Sequence, residues 1–341
     1  MKNNIKYSIL ELATVSQGNT IKETLNNVLE SAKVAEENGY ERYWFAEHHN
    51  SEKAASAAIA ILIGYVAENT NKIRVGAGGV MLPNHSPFIV AEQFGTLAQL
   101  YPNRIDLGLG RATGTDGVTS QAIRSDFMQA AHSFPSEIQK IQNYFSLANK
   151  SSNVRVGLAE GMDVPLYILG SSTDSAHLAA RKGLPYAFAS QFATTHLFDA
   201  LHIYEQEFQP SEFLSAPYTI AGINVIMADT NEEAEKIFTS LIRMFYGMLT
   251  GNMQGVLAPV EMTDEWREIL NHPRLQQMLK FSFVGDKENV KKQMIRFLKD
   301  TNVDEVIAVS TMYSAEARIK SVKLFAEVMQ EINVNLQVEM K

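Results

Sequence analysis

Cysteine is absent from the 341 residues, which excludes disulfides, thiolate metal sites and a cysteine nucleophile. Positive charge is also scarce: 30 Lys and Arg stand against 38 Asp and Glu, a formal net charge of -8. Nucleic acid and anionic membrane surfaces are gripped by clustered cations, so neither is expected as a partner. Long apolar runs are missing too. None approaches the ~20 residues needed to span a bilayer, and Met1–Tyr7 enters a strand pattern without an apolar signal core, so a cytoplasmic protein is expected. No low-complexity tract or linker interrupts the chain. What remains is 45% hydrophobic and only 20% charged, the composition of a globular chain with enough apolar matter for a large core.

That apolar matter is arranged in one repeated pattern. Short β-rich runs alternate with amphipathic helical stretches: Tyr7–Leu12 and a helix over 21–38, Arg42–Ala46 and 54–68, Ile73–Ala77 and 87–100, Ile105–Leu109 and a longer helical segment ending near Phe145. The second half continues with Pro165–Leu169, Tyr186–Ser190, Ile220–Met227 and Val303–Val309, each before a helix. Eight βα units in this length predict an α/β fold of the eight-stranded parallel βα (TIM) barrel type, in a single domain over 1–341. An insertion is expected at about 247–284, before the last unit, where Gly247, Gly251, Gly255, Pro259, Pro273 and Trp266 fall. It either covers the barrel mouth or lies to one side.

Polar chemistry collects where strands end, the face on which parallel α/β folds carry their sites. Glu47-His48-His49 follows the second strand. Adjacent histidines point to opposite sides of an extended chain, so a shared metal is the weaker reading and a proton-transfer role the stronger. Gly108-Leu109-Gly110-Arg111 ends the fourth strand. With Gly114 as the third glycine, the spacing from Gly110 misses the dinucleotide fingerprint by one residue. Arg111 offers a permanently charged fork for a phosphate or carboxylate, or forms a surface ion pair. After the fifth strand, Gly170-Ser171-Ser172-Thr173-Asp174-Ser175 opens a helix. Such a turn binds an anion on free backbone N–H groups, although ordinary N-capping selects the same residues, and local sequence favours capping.

Taken together and in order, Glu47-His48-His49, Val75 to Pro83, Arg104 to Arg111, Gly170-Ser171-Ser172 and Gly183-Leu184-Pro185 resemble the bacterial luciferase-like monooxygenase family over nearly the whole chain. The resemblance implies a barrel that binds reduced FMN at its carboxyl end, where flavin, O2 and a small organic substrate react, the reduced flavin coming from a separate reductase. It matches Gly78 and Gly79 to a non-prolyl cis peptide against the flavin ring. Arg111 matches an arginine near the flavin phosphate, and Gly170, Ser171, Ser172 and Ser175 fall in the phosphate-binding turn, which reverses the preference for capping. His48 matches a histidine thought to act as a base, and Glu47 the acid beside it; no metal is expected. Gly110 stands where the luciferase α subunit has a reactive cysteine, so nothing that depends on that thiol carries over, and light emission does not follow. Relatives of the fold transfer hydride with a deazaflavin, and one stores flavin without turnover, so both readings stay open. A homodimer is expected because relatives pair, with the small-residue run Ala54–Ala58 at the start of the 54–68 helix as a candidate contact.

Overall fold

A computed structural model describes every residue except Met253, Met340 and Lys341. Nine strands form one all-parallel sheet: β1 (Lys6–Glu11), β2 (Arg42–Phe45), β3 (Arg74–Met81), β4 (Ile105–Gly110), β5 (Leu166–Gly170), β6 (Tyr186–Phe188), β7 (Thr219–Met227), β8 (Ser282–Gly285) and β9 (Glu305–Val309). Among the described residues twelve α-helices connect them and a thirteenth follows β9: α1 (Ile21–Glu37), α2 (Ile59–Glu68), α3 (Pro87–Leu100), α4 (Gly117–Ile123), α5 (Phe127–His132), α6 (Phe134–Phe145), α7 (Thr173–Lys182), α8 (Leu197–Glu207), α9 (Asn231–Thr250), α10 (Asp264–Leu270), α11 (Pro273–Met278), α12 (Lys287–Thr301) and α13 (Ala315–Glu339). None of the described helices is long and apolar enough to cross a membrane.

The sheet closes. β1 pairs with both β2 and β9, and β7 pairs with both β6 and β9, so β1 to β7 plus β9 make an eight-stranded TIM barrel. β8 stays outside the ring and pairs only with the far end of β7, through Asn224↔Ser282 to Met227↔Gly285. The expected eight strands are therefore the barrel strands. β8 and α12 were not expected; they belong to the excursion between β7 and β9. Two of its segments reach the carboxyl-end rim: Val256 exchanges backbone hydrogen bonds with Val15 and Gln17 after β1, and Thr194 after β6 donates to the Gln277 carbonyl of α11 at 2.6 Å. A separate apolar cluster that includes Ile226, Leu241, Phe245, Leu275 and Met312 holds this excursion to the barrel wall.

The glycine run of β3 is not a strand end, as the sequence pattern suggested, but the interior of an eight-residue strand. A Cβ at Gly108 would lie 2.3 Å from the Ala77 carbonyl oxygen, and one at Gly79 would lie 2.7 Å from that of Gly108. Glycine is required there by the close approach of β3 to β4. A second difference is the run Ala54–Ala58, which forms a loop rather than the first turns of a helix. Its backbone bonds to Ala13 and its Ser56 hydroxyl donates to the Leu12 carbonyl, so Ala54 to Ser56 pack against the barrel while Ala57 and Ala58 are exposed.

At the amino end the barrel is plugged by charge. Arg42 donates to both Glu305 oxygens at 2.8 and 3.0 Å, to Asp106 at 2.8 Å and to the Tyr167 hydroxyl at 2.7 Å, all buried. Its guanidinium also lies over the rings of Trp44 and Tyr167. Because charges removed from water must be paired and fully hydrogen-bonded, each member depends on the others. Replacing Tyr167 with Phe deletes one of these bonds while Asp106 still faces the guanidinium, so unfolding free energy should fall by about 1–3 kcal/mol. Urea titration checks this, and turnover should not change.

Candidate active site

At the carboxyl end, β2 and β3 lie side by side, with Phe45 paired to Ala77. The residues that follow them therefore meet. Glu47 is buried at 1% exposure. Its Oε1 lies 2.6 Å from His49 Nε2 and 2.7 Å from His85 Nε2, and its Oε2 accepts the Met81 amide at 3.1 Å. Burial alone would raise the carboxyl pKa, but the two imidazoles and the backbone amide outweigh it and hold the group at about 2. Glu47 is thus a carboxylate at any working pH, and both imidazoles must donate to it.

The donor atoms of Glu47, His49 and His85 all lie within 4.8 Å of one another, a set that a divalent cation could use. Two features favour shared protons instead. The separations of 2.6 and 2.7 Å are those of charge-assisted hydrogen bonds. Neither Nδ1 has a hydrogen-bond partner among the described residues, whereas metal-ligating imidazoles are normally held through their second nitrogen.

His48 makes no side-chain hydrogen bond to that cluster. Its backbone N–H donates to the Ser56 carbonyl at 3.3 Å, while its side-chain Nδ1 is sealed from solvent without a partner. Burial lowers its pKa; the Glu47 charge opposes the shift and His49 adds to it. The imidazole is accordingly neutral near pH 7, the form that accepts a proton.

The other half of the site is built on β4 and β5, where Gly110 pairs with Leu169. Arg111 follows β4, about half exposed, and reaches Asp174 at 3.3 Å. Gly170 ends β5 and leads into α7. Ser172 is the N-cap, yet its side chain makes no capping bond, unlike Thr20, Asp116, Thr230 and Asp286 at other helices. The first-turn N–H groups of α7 are left for an anion. Ser175 bonds the Ser172 carbonyl at 2.7 Å and lies 3.0 Å from the Tyr186 hydroxyl, and a Cβ on Gly170 would collide with it at 1.8 Å. Ser175 therefore fixes the shape of the turn, while Ser171 is exposed at its edge. Arg111, Leu169, Asp174, Ser175 and Arg181 border a cavity of about 600 Å³. Volume, guanidinium and uncapped helix start all fit the phosphate end of a flavin nucleotide.

Gly78 and Gly79 are joined by a cis peptide bond, with a register shift between Ala77 and Val80 against β4. A profile described as luciferase-like monooxygenase matches residues 5–323. The chain belongs to the luciferase-like monooxygenase family. It is accordingly an oxidoreductase. A luciferase-like monooxygenase of Escherichia coli K12 is 42% identical over 328 residues, covering 96% of this chain and 98% of its own. The uncharacterized protein YvbT of Bacillus subtilis 168 is 44% identical, covering 96% and 99%. Among solved structures, apo-MsnO8 superposes with a TM-score of 0.86 at 31% identity, covering 96% of this chain and 99% of that one. Two solved structures of lower identity share the fold: the oxygenating constituent of 3,6-diketocamphane monooxygenase from Pseudomonas putida in complex with FMN (TM-score 0.70, 15% identity, 95% and 97% covered) and an F420-dependent secondary alcohol dehydrogenase (0.68, 17%, 95% and 98%).

Two residues of this cluster carry no motif of their own. The sequence sets His49 beside His48 and leaves His85 in a loop, yet His49 and His85 meet at Glu47 from adjacent loops. The available signal was position: His85 follows β3 as Glu47 follows β2, and neighbouring parallel strands bring their trailing residues together.

Proposed function

We propose that this luciferase-like oxidoreductase is an FMN-dependent monooxygenase that receives reduced flavin from a separate reductase and oxygenates a small organic substrate. The observation that carries the reading is the presence, at one end of one barrel, of an uncapped helix start beside Arg111 and a neutral, unpartnered imidazole at His48. When bound, reduced FMN supplies the two electrons that let one atom of O2 enter the substrate and the other leave as water. The chain's own residues bind, orient and manage protons. Arg111 and the α7 turn, from Gly170 through Ser171 and Ser172 to Ser175, would hold the phosphate. The Gly78-Gly79 segment would contact the flavin ring. His48 accepts a proton from the reacting substrate. Glu47, as a fixed carboxylate, holds His49 and His85 and so shapes the wall beside His48. No metal takes part.

Anaerobic titration with reduced FMN and reduced riboflavin tests the reading. Wild type should prefer FMN, and Arg111→Gln should weaken FMN binding by about tenfold or more while leaving riboflavin unchanged, because a charge-assisted contact to phosphate is worth about 1.5–3 kcal/mol. Equal affinities of wild type for both flavins would refute the phosphate site. Preference for a reduced deazaflavin, with reducing equivalents passed to substrate in the absence of O2, would favour the hydride-transfer reading instead.

A further inference from the structure

Gln191 lies just beyond β6 at the carboxyl-end rim, and its surroundings are unusually well fixed. Asn224 of β7 donates through Nδ2 to the Gln191 carbonyl at 2.7 Å, and the neighbouring Ser190 hydroxyl donates to the Gly222 carbonyl at 2.6 Å. The Gln191 side chain is only 7% exposed. Its amide lies over Gly222, where an added Cβ would come within 1.9 Å of Oε1. Glycine at 222 is what makes room for it. Yet Oε1 is sealed from solvent with no hydrogen-bond partner, and Nε2 has none among the described residues. A buried amide oxygen left unpaired is costly, and native structures keep such a group where something else completes it.

The topology says what it faces. In a ring of eight strands ordered β1 to β7 then β9, β6 is four places from β2 and β7 is four places from β3. Gln191 and Gly222 therefore stand across the mouth from His48 and the Gly78-Gly79 segment. A ring that rests a face on the Gly78-Gly79 segment has its edges free to meet the remaining walls of the mouth, that of β6 among them. The pyrimidine edge of a flavin is a carbonyl, an N–H and a second carbonyl in sequence. A primary amide has one acceptor and one donor side by side, so it can accept the N–H and donate to a carbonyl in one paired contact. With the Gln191 backbone pinned by Asn224, only the terminal torsion of the side chain need turn.

We propose that Gln191 binds the imide edge of the flavin ring, seated by Gly222. This rests on the flavin reading above and adds a recognition residue on the wall opposite the proton-transfer group. The test is an anaerobic titration of reduced FMN and its N3-methyl analogue, which cannot donate from that position, against wild type, Gln191→Leu and the near-isosteric Gln191→Met. Wild type should prefer FMN by about tenfold, and both variants should lose that preference by weakening FMN alone. A preference that survives in a folded Gln191→Met, or FMN affinity that does not change, overturns the assignment. In the second case a rise confined to substrate KM would give the amide to the substrate. Failure of wild type to bind either flavin would bring down the flavin reading together with this one, so the two failures are told apart.

Discussion

His48→Ala is expected to lower turnover by about 10²–10⁴-fold, the usual contribution of a positioned acid–base group, while the Kd for reduced FMN barely moves. The asymmetry follows from where contacts are made. The proposed phosphate-binding elements, Arg111 and the start of α7, lie beyond β4 and β5, whereas His48 lies beyond β2 and makes no side-chain hydrogen bond through its sealed Nδ1. Flavin affinity should therefore survive its loss. The pH profile supplies an independent readout. Burial lowers the His48 pKa, so the neutral, proton-accepting form persists as the pH drops and is lost only below the ordinary histidine value of about 6.5. The acid limb of kcat/KM should accordingly fall below that value in wild type and vanish in His48→Gln. Parallel losses of turnover and flavin affinity in His48→Ala would make the residue part of the binding site, not the base.

What the sequence could and could not reveal follows the same physics. Barrel strands buried on both faces read as apolar runs wherever they fall, so all eight were recognisable before the structure. β8 is only four residues long, contains Ser282 and Gly285, and pairs with one strand outside the ring; no local pattern separates it from a loop. α2 begins at Ile59, five residues later than the apolar periodicity implied, because Ala54–Ala58 bonds to the β1 loop instead of to itself. The site divides in a similar way. Arg111 and the Gly170 to Ser175 turn are each continuous in sequence, and a strand end announces them. The Glu47-His49-His85 cluster joins residues 38 positions apart, and Gln191 meets Gly222 across two strands. Those contacts exist only once the barrel has closed.

Glu47→Gln should cost about 3 kcal/mol at pH 7, the free energy equivalent of holding a carboxyl at about 2 in the folded state against an ordinary value near 4.5. The carboxylate is the common acceptor for three donors: His49 Nε2–H, His85 Nε2–H and the Met81 amide. A carboxamide offers one acceptor oxygen and turns an N–H toward groups that are already donors. The pH dependence separates this from a simple packing loss. A depressed folded-state pKa contributes stability that is complete above the unfolded value and drains away as the pH falls toward the folded one. In wild type the contribution is thus intact at pH 7 and partly gone at pH 3, so the gap between wild type and Glu47→Gln should narrow by about 2 kcal/mol over that interval. Urea denaturation at each pH measures it. A gap that stays constant from pH 7 to 3 would mean that the charge on Glu47 is not what the two histidines stabilise. A narrowing gap would establish that the wall beside His48 is held by a buried anion.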